Sequence, residues 1–117
     1  MVNAEIMKAV QYYIHALKGR GLDVRYVVVF GSQVVGQPGR WSDIDMVVVS
    51  PRYDAGIQFA DTALLWEVAA ETDARIEPIP CGEKQWVEDD SSAIIEMARR
   101  EGERVGVEES PKATTRK

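Results

Sequence analysis

The chain has 117 residues, a net charge of −5 and one cysteine, Cys81. This length allows one domain with a modest core and excludes two, and a single cysteine excludes an internal disulfide. The negative charge argues against a general nucleic-acid binder, which normally carries a basic face. The N-terminal residues lack the pattern of a signal peptide, and no apolar run is long enough to span a bilayer. We therefore expect a cytoplasmic protein.

The first half of the chain predicts one helix followed by two strands. Residues 4–18 carry apolar side chains at helical spacing, with Asn3 as a plausible N-cap and Gly19 at the end. Residues 25–30 are β-branched and aromatic, which favours a short buried strand. Residues 43–50 predict a second strand, whose apolar stretch MVVV indicates burial on both faces.

The second half predicts a helix, a third strand and a last helix. These elements cover residues 57–70, residues 74–79, and a segment from Ser91 or Ser92 to about Arg100. Pro78 places the third strand near a sheet edge or at its own end. Trp66 is expected in the core and Trp86 in a loop.

The order of these elements predicts a small mixed β-sheet flanked by helices, in the α/β (α+β) class. The last residues have almost no apolar content. We therefore expect one domain over residues 1–104 and a flexible tail over residues 105–117.

Two carboxylates one residue apart open the second strand. Side chains alternate along a strand, so Asp43 and Asp45 project to the same side while Ile44 points into the core. Adjacent carboxylates repel each other unless a cation lies between them, and magnesium prefers oxygen ligands of this kind. Gly31 and Ser32 follow the neighbouring strand, where their amides and the Ser32 hydroxyl are suited to phosphate oxygens. Together these residues suit phosphoryl or nucleotidyl transfer.

A third acidic residue would complete a two-metal site. Glu77 is the candidate, because it lies within the third predicted strand between Ile76 and Pro78. If that strand lies beside the Asp43 strand, Glu77 faces the pair and acts as a metal ligand or as a general base. Asp73, at the start of the strand, is the competing candidate.

The segment FGSQVVGQPGRWSDIDMVVV resembles the signature of the DNA polymerase β-like nucleotidyltransferase superfamily. It contains Gly-Ser after a strand, ten intervening residues and then Asp-x-Asp at the start of a second strand. The short length and the RIEP strand resemble the minimal nucleotidyltransferases, the MNT proteins, over about residues 4–104. The resemblance implies a nucleotidyltransferase-type core.

This resemblance also implies an activity and a set of roles. Gly31 and Ser32 would hold the phosphates of the nucleotide, and Asp43, Asp45 and Glu77 would be the metal-binding and catalytic carboxylates. The family transfers a nucleoside monophosphate, often AMP from ATP, with Mg²⁺ at a two-metal site. Many minimal members are antitoxins that adenylylate a tyrosine on a HEPN-type toxin. We therefore expect a HEPN-type partner or a homo-oligomer, since a chain of this length leaves little room for an acceptor-binding domain.

One position departs from the family pattern. Members commonly carry a basic residue just before the second glycine of the loop, where this chain has Val35, and Arg40 is the candidate replacement in nucleotide binding.

Three alternative interpretations of the sequence stay open. The aspartates are the polar start of a strand, or the chain is a non-catalytic neutralising partner with the same fold, or the acceptor is a small hydroxylated molecule.

Overall fold

The computed structural model describes residues 2–31 and 42–107. The helices in these ranges are α1 (Ala4–Gly19), α2 (Phe59–Thr72), α3 (Glu83–Glu88) and α4 (Ala93–Glu101), with a 3₁₀ helix at Pro51–Ala55. The strands are β1 (Tyr26–Phe30), β2 (Ile44–Val49), β3 (Ile76–Cys81) and β4 (Glu103–Gly106). No helix within these ranges is long and apolar enough to cross a membrane.

The predicted helix caps are present at both ends of the domain. The Asn3 side chain accepts a hydrogen bond from the Ile6 N–H at 2.8 Å, which satisfies one of the free amides at the start of α1. At α4 it is Ser92, of the two serines considered, that accepts from the Ile95 N–H, at 3.3 Å. The sequence therefore marks where these two helices begin.

The four strands form a mixed sheet in the order β3-β2-β1-β4. Strand β1 is antiparallel to both β2 and β4, whereas β2 and β3 are parallel. Strand β3 lies at the edge, as predicted from Pro78, and it tolerates both Pro78 and Pro80 because an edge strand needs fewer backbone donors. The mixed sheet flanked by helices confirms the predicted fold class.

Helices cover both faces of the sheet. One buried cluster joins α1 and α2 to side chains such as Val27, Val29, Met46 and Val48. A second cluster joins Trp86 of α3 and two residues of α4 to the alternate side chains of β1 and β2. The MVVV stretch is therefore buried from both sides, as its composition predicts.

Strand β4 was not predicted from the sequence. It pairs with β1 through the Val27–Val105 register, and Val105 is buried. The domain boundary expected after residue 104 therefore falls inside a strand, while residues 108–117 of the expected tail lie outside the described residues. Four residues with one buried side chain give no periodic signal, which is why the strand was missed.

Trp66 and Trp86 lie in environments opposite to those predicted from the sequence. Trp86 lies in α3 and is buried, so the predicted loop at this position is wrong. Trp66 is 47% exposed on α2, so its predicted core position is also wrong. Helix α2 carries apolar residues on both sides, and periodicity alone does not tell which side packs inward.

Candidate active site

The candidate site lies at one edge of the sheet, where β1 ends and both β2 and β3 begin. Phe30 is the register partner of Asp45, and Asp45 is the register partner of Glu77. Side chains of directly paired residues project from the same face of a sheet, so Asp45 and Glu77 lie side by side. Asp43 precedes β2 on the same side. The third strand therefore lies beside the Asp43 strand, which was the condition for Glu77 to face the two aspartates.

Gly31, the residue after β1, is in direct contact with this group. Its φ angle is +81°, in the region that glycine adopts without steric cost. A Cβ atom at this position would lie 2.7 Å from Oδ2 of Asp45, closer than two such atoms approach. Position 31 therefore requires glycine, because any side chain there would collide with the carboxylate of Asp45.

The three carboxyl groups interact strongly. Hydrogen bonding to Asp43, followed by partial burial and the charges of Asp43 and Asp45, raises the pKa of Glu77 to about 7. Asp43 is exposed, whereas Asp45 and Glu77 are half-buried. The cluster is therefore a concentration of negative charge that is open to solvent on one side.

The chemistry of these donors suits a hard divalent cation, because all of them are carboxylate oxygens. Within residues 2–31 and 42–107, no three acidic, histidine or cysteine side chains are already arranged around one metal position. Binding a cation there would therefore require the carboxyl groups to turn toward one common position.

Comparisons with known proteins assign the family. The sequence profile of the nucleotidyltransferase domain matches residues 11–101. The chain belongs to the nucleotidyltransferase domain family. Comparison with curated protein sequences gives no match.

Solved structures share the fold of this nucleotidyltransferase domain at low sequence identity. A Sulfolobus solfataricus protein, provisionally described as a nucleotidyltransferase, has 18% identity and a TM-score of 0.54, with 69% of this chain and 70% of that chain covered. A chain of a toxin–antitoxin complex with AMP-PNP has 18% identity and a TM-score of 0.56, covering 85% and 74%. A chain from the complex of tri-AMPylated HEPN toxin and MNT antitoxin of Shewanella oneidensis has 14% identity and a TM-score of 0.50, covering 87% and 73%.

Asp73, the competitor of Glu77, is engaged elsewhere in the nucleotidyltransferase domain. Its carboxylate accepts from the Arg75 guanidinium at 2.7 Å in the turn before β3. The hydrogen bond from Arg75 lowers the pKa of Asp73. This pair stabilises the turn, and Glu77 is the acidic residue of this segment that reaches the aspartates.

The remaining candidates, Ser32 and Arg40, lie outside the described residues, as does Val35. The contact that sequence reasoning missed is that between Gly31 and Asp45. The sequence predicted close approach of a ligand to Gly31, but it contains no signal for the strand register that brings Asp45 against this glycine.

Proposed function

We propose that this nucleotidyltransferase domain transfers a nucleoside monophosphate, AMP from ATP, to a hydroxyl group on a HEPN-type partner protein. The observation that carries the proposal is the sheet register that places Asp45 between the backbone of Gly31 and the carboxyl group of Glu77. This arrangement supports the proposal because nucleotidyl transfer needs phosphate donors beside a carboxylate cluster, and the backbone of Gly31 would supply donors there.

Asp43, Asp45 and Glu77 would hold Mg²⁺, and Gly31, Ser32 and Arg40 would contact the phosphates. Bound magnesium neutralises phosphate charge and stabilises the charge that develops during transfer. The chain itself supplies position: the buried strands β1 and β2 hold the Asp45 side chain in place. In the reaction, the acceptor oxygen bonds to the α-phosphorus, the bond from that phosphorus to the bridging oxygen breaks, and pyrophosphate leaves. The hydroxyl proton passes to solvent.

The identity of the partner is inferred from the fold. The structural neighbours include chains of toxin–antitoxin complexes, one of them with an AMPylated HEPN toxin. The exposed Asp43 leaves the cluster accessible to a hydroxyl group carried by another protein. An antitoxin that modifies its HEPN-type toxin fits both observations.

The test uses the full chain, a HEPN-type partner, Mg²⁺ and ATP labelled at the α-phosphate. We expect label on the partner and an equal amount of pyrophosphate. Asp45→Asn and Glu77→Gln should each lower the rate about 100-fold or more, because each removes charge stabilisation at the reacting phosphates. The exposed Asp90→Asn is the matched control and should react as the unchanged chain does.

Two outcomes would contradict the proposal. If the partner is bound and neutralised but neither label nor pyrophosphate is formed, the chain is a non-catalytic binding protein. If pyrophosphate is released only when a small hydroxylated molecule is added, the acceptor class is wrong while the transferase chemistry stands.

A further inference from the structure

The turn before β3 is built around the side chain of Asp73. Oδ1 of Asp73 accepts a hydrogen bond from the backbone N–H of Arg75 at 3.0 Å and from Nε of the same arginine at 3.0 Å. Oδ2 accepts from Nη2 at 2.7 Å. The carboxylate therefore holds the guanidinium through two parallel bonds, the strongest geometry for such a pair. Both side chains are largely buried, with 19% of Asp73 and 23% of Arg75 exposed.

The backbone of Asp73 joins the end of α2 to the start of β3. Its N–H donates to the carbonyl oxygen of Ala69, in the last turn of α2, at 2.9 Å. Its carbonyl oxygen accepts from the N–H of Ile76, the first residue of β3, at 3.0 Å. One residue therefore fixes where the helix stops and where the strand begins.

The same turn supplies the first hydrogen bond between β2 and β3. The N–H of Ile44 donates to the carbonyl oxygen of Arg75 at 2.8 Å, and Ile44 is the register partner of Ile76. Ile44 lies between the two aspartates of the cluster, and Ile76 directly precedes Glu77. The hydrogen bond that the turn holds is therefore adjacent along the chain to all three carboxyl groups.

The start of β3 depends on this support more than an inner strand would. Strand β3 lies at the edge of the sheet and pairs only with β2 among the described strands. The ends of an element open more readily than its middle. Since Glu77 is the second residue of β3, its position depends on the first hydrogen bond of the ladder.

We infer that Asp73 and Arg75 are positioning residues, which hold Glu77 beside Asp43 and Asp45 by fixing the start of β3. This inference rests on the proposed function, because the position of Glu77 matters for activity only if the cluster binds a cation and a nucleotide. A misplacement of about 1 Å in an active site costs roughly 100-fold in rate. Loosening the turn should therefore slow transfer although every carboxyl group of the cluster is still present.

Asp73→Asn tests this role. The asparagine keeps an oxygen that accepts from the Arg75 N–H, but it loses the charge that holds the guanidinium. We expect transfer of labelled AMP to a HEPN-type partner to fall about 10-fold or more. Asp61→Asn is the matched control, because Asp61 also accepts from a backbone N–H, that of Gln58, and from an arginine Nε, that of Arg52, both at 2.8 Å. That pair lies at the opposite end of β2, so Asp61→Asn should lose comparable stability in urea and keep the full rate.

A double variant shows whether the turn acts through Glu77. Residues that act as a unit have effects on rate that do not multiply. We therefore expect Asp73→Asn combined with Glu77→Gln to transfer label at the rate of Glu77→Gln alone. A general loss of stability would instead lower the rate by the same factor in both backgrounds.

Binding of Mn²⁺ alone, followed by electron paramagnetic resonance of the free ion, gives a readout that needs no catalysis. Mn²⁺ accepts carboxylate oxygen ligands, and residues that orient metal ligands typically change affinity about 10- to 100-fold when replaced. The full chain with Asp73→Asn should bind Mn²⁺ about 10-fold more weakly than the unchanged chain. The full chain with Asp61→Asn should bind it equally well.

Equal transfer rates of the Asp73→Asn and Asp61→Asn chains would overturn the inference, as would an equal loss in the Glu77→Gln background. If Arg75→Met slows transfer while Asp73→Asn does not, the guanidinium acts directly on the nucleotide and the positioning role is wrong. If the unchanged chain transfers no label, the proposed function fails and Mn²⁺ binding is the deciding test. Equal affinity with and without Asp73→Asn, or no binding by the unchanged chain, would then overturn the positioning role.

Discussion

Replacing Gly31 with alanine tests whether the contact between the Gly31 backbone and Asp45 matters for catalysis. The residue has a φ of +81°, and a non-glycine residue in that region costs about 1–2 kcal/mol of stability. The added Cβ would lie 2.7 Å from Asp45 Oδ2, and reaching an ordinary contact of 3.4 Å requires a shift of about 0.7 Å. A displacement near 1 Å in an active site costs about 100-fold in rate. We therefore expect Gly31→Ala to lose about 100-fold in nucleotidyl transfer.

Gly21→Ala is the matched control. Gly21 has a φ of +94°, and no heavy atom lies within 4 Å of the position of its Cβ. It should show a similar loss of stability in urea denaturation, with the rate of pyrophosphate release unchanged. If Gly31→Ala and Gly21→Ala retain equal activity, the contact with Asp45 does not position the carboxylate and the reasoning is refuted.

Three further predictions concern the stability of the domain and the pKa of one of its carboxyl groups. Asp61→Ala should lower the free energy of unfolding by about 1 kcal/mol at pH 7, because Asp61 accepts a hydrogen bond from the backbone at the start of α2. That hydrogen bond lowers the pKa of Asp61. The difference in free energy of unfolding between the variant and the unchanged chain should therefore be full above about pH 4 and disappear as the pH falls through the folded-state pKa. An equal difference under strongly acid conditions would contradict this. Hydrogen bonds, first from the Ser91 N–H, lower the pKa of Asp89 to about 2, and NMR titration of this carboxyl should give that midpoint rather than one near 4. Trp86→Ala should cost about 3–5 kcal/mol in urea denaturation because Trp86 is buried, whereas the exposed Val87→Ala should change stability by less than about 0.5 kcal/mol.

Much of the fold follows from local patterns in the sequence. The apolar spacing and Asn3 predict α1, and the β-branched runs predict β1 and β2 to within a residue. Burial of the MVVV stretch and the edge position of β3 follow from composition and from Pro78. These features were predictable because each depends on neighbouring residues or on one backbone property of proline.

Features that depend on tertiary packing were not predictable. Strand β4 has one buried apolar side chain, Val105, and exists because β1 offers it an open edge. The environments of Trp66 and Trp86 depend on which side of α2 packs on the sheet and on how the segment after β3 folds back. No local pattern contains that information.

Some features of the candidate site were predictable from the sequence, and others depend on tertiary packing. The common orientation of Asp43 and Asp45 follows from strand alternation. The position of Glu77 beside them follows once β3 is paired with β2. The contact of Gly31 with Asp45 needed the register of β1 against β2, which the sequence does not encode locally. The roles of these carboxylates, and of Ser32 and Arg40 outside the described residues, remain predictions.

Mass spectrometry of the HEPN-type partner tests the central claim most directly. After incubation with this chain, ATP and Mg²⁺, the intact partner should gain the mass of one or more AMP groups, and fragmentation should locate each on a hydroxyl side chain. The gain should be absent with a chain that carries Asp43→Asn and Asp45→Asn, although the two proteins still bind. A partner that is bound and neutralised with its mass unchanged, under any of the four nucleoside triphosphates, would contradict the account.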